Sequence, residues 1–139
     1  MNPNSASTGS TSRPNLRYHH RIPVDLELRL EINGETLPPC RISNLSRSGI
    51  MVHCSQDILD QIAPNQESVA PHQAIPVRAH FEVPVGGNGS AWVDCQCDVV
   101  TVRRVARDCF QVGMSFTGFD NDGEALVDRY ITEQLATGA

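Results

Sequence analysis

The feature that most constrains the fold of this chain is a stretch of strict alternation between apolar and charged residues, from Val24 to Ile32. Successive side chains of a β-strand point to opposite faces, so this pattern predicts a strand with one buried face and one exposed face. Asn33-Gly34 follows directly and is a strong hairpin signal, because both residues tolerate positive φ. The folded part of the chain therefore begins with antiparallel β-structure.

Further apolar runs predict additional strands between recognisable turns. We expect these strands at about 37–43, 50–54, 75–85, 91–105 and 109–116, with turns at 44–49, 86–89 and 107–108. Pro38-Pro39 confines the first of these runs to a sheet edge or a bulge, and a blurred apolar phase at Val99-Val100 indicates a bulge. Residues 56–74 look irregular, with one short helix around Ile58–Ile62.

The hydrophobic period changes near the C-terminus. Asn121, with Glu124 three residues later, resembles a capping box at the start of a helix. The apolar stripe of that helix consists of Leu126, Tyr130, Ile131 and Leu135. About six strands followed by one amphipathic helix predict a mainly β protein, a six-stranded antiparallel β-barrel with a C-terminal α-helix packed outside it.

The composition is that of a globular protein, with 139 residues of which 40% are hydrophobic and 19% are charged. Residues 1–12 have little to bury, so we expect a disordered tail there and a single domain over residues 13–137. No apolar run approaches the roughly 20 residues that span a bilayer, and the N-terminus lacks the apolar core of a signal peptide. These features predict a cytoplasmic protein without a membrane span.

The cysteines and histidines indicate no metal site. The five cysteines are Cys40, Cys54, Cys95, Cys97 and Cys109, an odd set without metal-ligand spacing. Cys95 and Cys97 alternate within an apolar strand, so we expect both thiols on one face of the sheet as buried, reduced side chains. The histidines also lack ligand spacing, and we expect neither a metal nor a cofactor.

The charges are unevenly distributed. The net charge is −5, every one of the 11 cations is an arginine, and no acidic residue precedes Asp25. Arg13, Arg17 and Arg21 all fall in that N-terminal stretch. A basic island on an acidic protein favours a small anionic ligand over a nucleic-acid strand.

Two short motifs carry the candidate chemistry. Arg17 and Arg21 form an RxxxR motif that runs into the first strand, and Asn44-x-Ser46-x-x-Gly49 lies before the third. An arginine guanidinium can bond bidentately to a phosphate or to guanine O6 and N7. Asn44 can bond a guanine edge, Ser46 supplies a compact hydroxyl, and Gly49 permits positive φ or a close backbone approach. Taken separately, the first motif is explained by a solvated entry segment and the second by a polar turn.

In this order the two motifs resemble those of the PilZ family, whose hallmarks are RxxxR followed by [D/N]xSxxG across one hairpin. The last strand, Phe110–Phe116, and the helix after it also look like the end of that domain, so the resemblance covers about residues 16–135. It implies a bacterial second-messenger receptor that binds cyclic di-GMP and has no catalytic activity. The implied ligand-binding residues are Arg17, Arg21, Asn44, Ser46 and Gly49, with Arg13 as an assisting third cation.

The resemblance is incomplete at some positions. Arg13 to Arg17 is a competing RxxxR register, but only the Arg17–Arg21 register runs directly into a strand entry. Leu16 stands where many family members have another arginine, which favours a single bound ligand molecule. Many family members have an aromatic residue in the strand before the last hairpin, where it can stack on a base. Thr101 stands nearest to that position here, so Arg103 or Arg104 can replace the stacking contact. Trp92 is expected to be a barrel or surface residue.

Several functions remain to be compared. The resemblance favours a receptor that rearranges its N-terminal arm and its partner surface on binding and then engages an unidentified downstream protein. A PilZ-like adaptor that binds only protein is the alternative. Such an adaptor is expected to have eroded motifs, whereas both motifs of this chain are intact. An oligonucleotide-binding barrel would show basic stripes with exposed aromatics, whereas only 5% of this chain is aromatic. An enzyme is disfavoured because no paired carboxylates or nucleophile–base set is found at usable spacing.

Overall fold

A computed structural model of the protein describes residues 20–62, 75–86 and 88–136. Within these residues the chain forms strands joined by short turns and two helices. The elements are β1 (Ile22–Ile32), β2 (Glu35–Thr36), β3 (Cys40–Leu45), β4 (Gly49–Cys54), α1 (Gln56–Ile62), β5 (Ile75–Val85), β6 (Gly89–Ala106), β7 (Cys109–Phe119) and α2 (Gly123–Ala136). The tail expected at residues 1–12 lies outside the described residues.

The strands close into a barrel. Their order is β2-β1-β3-β4-β7-β6-β5, and β5 pairs in turn with β1, so that all strands but β2 form one antiparallel ring of six. The predicted fold class is therefore confirmed. The hairpin predicted at Asn33-Gly34 is present and joins β1 to β2, with φ of 54° and 83° at the two turn residues. Because the ring is closed, each of its six strands is paired on both sides. The short strand β2 pairs with β1 and lies outside the ring.

The alternation in the sequence corresponds to the inside and the outside of the barrel. Leu28 and Leu30 of β1 are fully buried, and they lie opposite Phe81 and Ala79 of β5, which are also fully buried. The charged residues between them on β1 are exposed or half-buried. A single core thus fills the barrel, and residues of the opposite phase form its outer surface.

Two boundaries differ from those that the sequence predicted. The strand predicted from Leu37 begins only at Cys40, because Pro38-Pro39 has no N–H groups for the ladder, and Leu37 instead donates its N–H to the Leu30 carbonyl at 2.8 Å. The turn predicted at 44–49 is shorter, since Asn44 belongs to β3. A bulge between Ile42 and Asn44 lets the strand continue to that point.

The two helices pack against different strands, α1 against β7 and α2 against β6, β5 and β1. The short helix α1 follows β4 and buries Ile58, Leu59 and Ile62. The C-terminal helix α2 buries Val127, Tyr130 and Ile131. Neither of these helices is long and apolar enough to cross a membrane.

The capping box predicted for α2 is wrong. Asn121 has a φ of 55° and lies in the turn before the helix. The first helical hydrogen bond runs from the Leu126 N–H to the carbonyl of Asp122 at 2.9 Å, so Asp122 is the N-cap residue. Asn121 and Asp122 are adjacent and both are common N-cap residue types, so the sequence placed the N-cap one position too early.

The cysteines are free thiols, and most of them are buried. Cys95 and Cys97 face the core together as predicted, with their sulfur atoms 3.9 Å apart. Burial, and secondarily the neighbouring Cys54, raises the pKa of Cys40 to about 12. Burial and the neighbouring Cys109 raise the pKa of Cys54 to about 11. These thiols therefore stay protonated and unreactive at neutral pH.

Native protein treated with iodoacetamide at pH 8 should be modified first at Cys109, the half-buried cysteine. The other four thiols are buried and should react only after urea unfolds the chain; Cys40, whose pKa burial raises to about 12, is ionised to roughly one part in ten thousand at this pH. Intact mass spectrometry counts the adducts, and peptide mapping locates them. Rapid modification of all five cysteines in the native state would contradict this packing.

Candidate ligand-binding site

The pairing of β1 with β3 brings the two sequence motifs together. Ile22 lies opposite Leu45 and Pro23 lies opposite Asn44, so Arg21, just before β1, is placed beside the end of β3. The Arg21 side chain is exposed, and its Nη1 donates a hydrogen bond to Asn44 Oδ1 at 2.9 Å. One residue of each motif therefore contacts the other across 23 positions of sequence. Arg17 and Arg13 lie outside the described residues.

Ser46 is buried within the turn between β3 and β4, with no exposed surface. Its Oγ accepts hydrogen bonds from the backbone N–H groups of Ser48 and Gly49, each at 3.1 Å. Its own backbone N–H donates to the Gly49 carbonyl at 2.9 Å. The hydroxyl that sequence reasoning assigned to the ligand thus holds the turn in shape, a common use of serine in turns.

Gly49 is required by a close approach of two strands. A Cβ at this position would lie 2.1 Å from the backbone oxygen of Met114 on β7. The neighbouring Phe116 N–H donates to the Ser48 carbonyl at 2.9 Å, which fixes the turn against β7. Gly49 is not among the glycines with positive φ. Of the two reasons that the sequence offered for this glycine, close approach is the one that applies.

Arg47, in the middle of the same turn, was not singled out by the sequence. Its Nε donates to Asp128 Oδ1 at 2.5 Å and its Nη2 donates to Thr132 Oγ1 at 2.9 Å, both on α2. The Arg47 side chain keeps only 16% of its surface exposed. No local signal could have predicted these contacts, because more than 80 residues separate the partners. They join the motif turn directly to the C-terminal helix.

The site presents hydrogen-bond donors toward the solvent. Because Asn44 Oδ1 already accepts from Arg21, the amide offers its NH₂ group to a ligand. A guanidinium carries five N–H donors, so Arg21 can bond a further acceptor. Such a site suits phosphate oxygens or the O6 and N7 atoms of guanine, all of which are acceptors.

The site is an open surface of the barrel. A depression of about 420 Å³ lies elsewhere, bordered by Glu31, Arg78 and Asp98, and it contains none of the motif residues. Trp92 is 57% exposed on β6, opposite Glu82 of β5, so it is a surface residue as predicted. Over residues 20–62, 75–86 and 88–136, no group of three or more His, Cys, Asp or Glu side chains could hold a metal ion.

Comparison with protein families and solved structures identifies proteins that this chain resembles. The family model of the PilZ domain matches residues 15–133. No curated protein has a sequence that matches the chain significantly. The solved structures that it resembles include the Borreliella burgdorferi PlzA protein in complex with c-di-GMP, with a TM-score of 0.60, 11% identity, and coverage of 96% of this chain and 58% of that one.

Two further structures have the same fold. The K. pneumonia MrkH–c-di-GMP complex matches with a TM-score of 0.56 and 16% identity, over 86% of this chain and 52% of that one. The PilZ domain of CeSA from a cellulose synthesizing bacterium matches with a TM-score of 0.50 and 18% identity, over 83% of this chain and 97% of that one. The chain therefore spans little more than half of PlzA and of MrkH, and nearly all of the isolated domain.

Ser46→Ala should destabilise the protein without any ligand present. The change removes the acceptor of two backbone N–H groups in a buried turn, and each buried donor left unsatisfied costs about 1–3 kcal/mol. Urea denaturation measures the loss of unfolding free energy. The exposed Ser90→Ala variant is the control and should change stability by less than about 0.5 kcal/mol. Equal stability of the two variants would show that the Ser46 hydroxyl does not support the turn.

Proposed function

The chain belongs to the PilZ domain family, and we propose that it is a receptor for cyclic di-GMP. Two of the solved structures with this fold are complexes with that ligand. The observation that carries the proposal is the hydrogen bond between Arg21 and Asn44, since it joins the two motifs into one donor surface. The proposal concerns binding and signalling without a catalytic step.

Cyclic di-GMP offers this surface the groups that it can recognise. The ligand has two phosphates and two guanines, and the guanidinium of Arg21 can bond either group. We propose that Asn44 donates to a guanine edge, and that Ser46 and Gly49 act by fixing the turn that carries Asn44. Arg17 is proposed as the second arginine of the site and Arg13 as an assisting cation.

We also propose that binding is transmitted to α2 through Arg47. The turn at 46–48 is held by its own hydrogen bonds, so a ligand that displaces Asn44 and Ser46 displaces Arg47 with them. The Arg47 side chain then either moves α2 or loses its bonds to Asp128 and Thr132. Both outcomes change the surface of the helix.

That surface is the proposed contact for a downstream protein. A depression of about 400 Å³ lies where Arg47 meets α2, and its lining combines apolar and acidic side chains. The residues around it are Arg47, Phe119, Glu124, Ala125, Val127 and Asp128. A change at Arg47 would alter the shape and the charge of this depression together.

Calorimetric titration of the full chain should show one molecule of cyclic di-GMP bound per chain at micromolar affinity or tighter, and much weaker binding of GMP and GTP. Arg21→Ala should weaken binding about 10- to 100-fold, because a hydrogen bond from a charged group contributes about 1.5–3 kcal/mol. Arg29→Ala is the matched control, since Arg29 is also an exposed arginine but lies within β1 and pairs with Glu27. The control should bind as the wild type does.

Absence of binding by the folded wild-type protein at tens of micromolar concentration would contradict the receptor proposal and favour an adaptor that binds only protein. Equal losses in Arg21→Ala and Arg29→Ala would show that the protein attracts the ligand only through general charge. Thermal melting of the apo variants is the check on folding. Arg21 is exposed, so its removal should leave the melting temperature nearly unchanged.

Hydrogen exchange should report the proposed transmission. Cyclic di-GMP should add amide protection at residues 13–21 and 44–49, and it should change exchange in α2. In Asp128→Asn, which weakens the ion pair with Arg47, the change in α2 should shrink while ligand affinity stays within about twofold of the wild type. Glu133→Gln removes a different ion pair of the same helix, with Arg129, and should leave the change in α2 intact. An unaltered response of α2 in Asp128→Asn would rule out this route.

A further inference from the structure

The one tryptophan of the chain, Trp92, lies on the outer face of the barrel and belongs to neither motif. It is 57% exposed, the highest fraction among the exposed large apolar side chains of the described residues. Tryptophan is enriched where proteins bind one another, because its indole offers a large apolar area and one N–H donor. A single exposed apolar residue is common, so its surroundings decide whether it marks a binding surface.

The pairing of β5 with β6 places a carboxylate and a proline beside the indole. Glu82 lies opposite Trp92, and Pro84 lies opposite Ser90, the residue two positions before Trp92. Directly opposite residues of neighbouring strands share a face of the sheet. Val83, which separates Glu82 from Pro84, is fully buried, so these side chains all lie on the outside. The indole and the proline ring thus form a small apolar patch with a carboxylate at its side.

The charge of this carboxylate is not balanced by a neighbouring cation. Glu82 accepts a hydrogen bond from the hydroxyl of Ser90, which is neutral. Asp94, the next outward residue of β6, pairs instead with His80. Among the residues that the structure describes, no arginine or histidine pairs with Glu82. A cationic group of a partner can therefore bind Glu82 without displacing an ion pair of the protein.

The turn that leads into α2 adds negative charge on the other side of β6. Asp120 follows β7, and its N–H donates to the carbonyl of Asp94 at 2.9 Å, so the turn lies on the side of β6 that faces away from β5. Asp122 and Glu124 come next in the chain, and both are exposed. In the described part of the chain neither forms an ion pair. The indole of Trp92 therefore lies between a carboxylate and an acidic turn.

Arginine is the side chain that fits an exposed indole flanked by carboxylates. A guanidinium is attracted to the face of an aromatic ring, most strongly to that of tryptophan, and its planar fork can bond a carboxylate at the same time. A nucleic-acid strand and an anionic lipid surface would both be repelled by this charge. A second copy of the chain, with its net charge of −5, is also a poor match for an acidic face.

We propose that Trp92, Pro84 and Glu82, with the acidic turn at 120–124, form a docking site for an arginine-bearing segment of a partner protein. The proposal goes beyond the proposed receptor function and does not depend on binding of cyclic di-GMP. Glu124 also borders the depression beside Arg47, so the docking site adjoins the surface of α2 described above.

Because Trp92 is the one tryptophan of the chain, its fluorescence reports directly on this site. Titration of the full chain with an octapeptide of alternating glycine and arginine should shift the emission to shorter wavelength and saturate, since the peptide removes water from the indole. The matching glycine–lysine peptide should bind several-fold more weakly, because an ammonium lacks the planar fork. The glycine–glutamate peptide should leave the emission unchanged.

Variants locate the binding through the anisotropy of a fluorescein-labelled glycine–arginine peptide. Trp92→Ala should weaken binding about 5- to 20-fold, and Trp92→Phe should fall between this variant and the wild type. Glu82→Gln should weaken binding about two- to fivefold. Glu35→Gln is the matched control, since Glu35 is also an exposed strand glutamate but lies beside the far end of β1, and it should bind as the wild type does.

An emission that does not respond to the arginine peptide, or a Trp92→Ala variant that binds it as the wild type does, would overturn the inference. Equal losses in Glu82→Gln and Glu35→Gln would overturn it too, since general attraction of a cation would then explain both. Sedimentation that shows a dimer of the wild type, lost in Trp92→Ala, would assign the face to a second copy instead. Trp92 is exposed, so melting of its variants should match the wild type and exclude misfolding as the cause.

Discussion

The pairing of β1 with β3 is the interaction on which the candidate site depends. Arg21 belongs to a segment with few apolar residues, and its position is set by the strand that follows it. Because Pro23 lies opposite Asn44, the guanidinium of Arg21 reaches the amide of Asn44. A shift of this pairing by one residue would turn the buried side chains of β1 outward, so the core that fills the barrel also holds the register of the site.

The motif turn is held by hydrogen bonds of Ser46 and by the close approach of two strands at Gly49. Their ligand contacts stay a prediction, and in the structure the hydroxyl of Ser46 bonds the turn itself and Gly49 allows β4 to approach β7. Arg47 extends from the same turn to α2, so its side chain connects the candidate ligand surface to the helix. This connection is the physical basis of the proposed signalling.

Local patterns in the sequence predicted most of the fold. The boundaries and contacts that these patterns missed depend on residues distant in sequence. Alternation with a period of two identified the strands, and Asn33-Gly34 identified the first hairpin, because both signals depend on neighbouring residues. The end of β3 and the cap of α2 were placed wrongly, since a bulge and a positive φ at Asn121 are decided by tertiary packing. The contacts of Arg47 with α2 follow from tertiary packing, which joins residues distant in sequence. No local pattern encodes them.

We propose that Arg21 and Asn44 act together as one binding unit, and a double-mutant cycle distinguishes joint action from independent action. Cyclic di-GMP affinities of the wild type, Arg21→Ala, Asn44→Ala and the double variant are measured by calorimetry under identical conditions. We expect the double variant to lose less binding free energy than the sum of the single losses, by more than about 0.5 kcal/mol, because each residue positions the other. Losses that add within error, or a wild-type protein that does not bind, would contradict it.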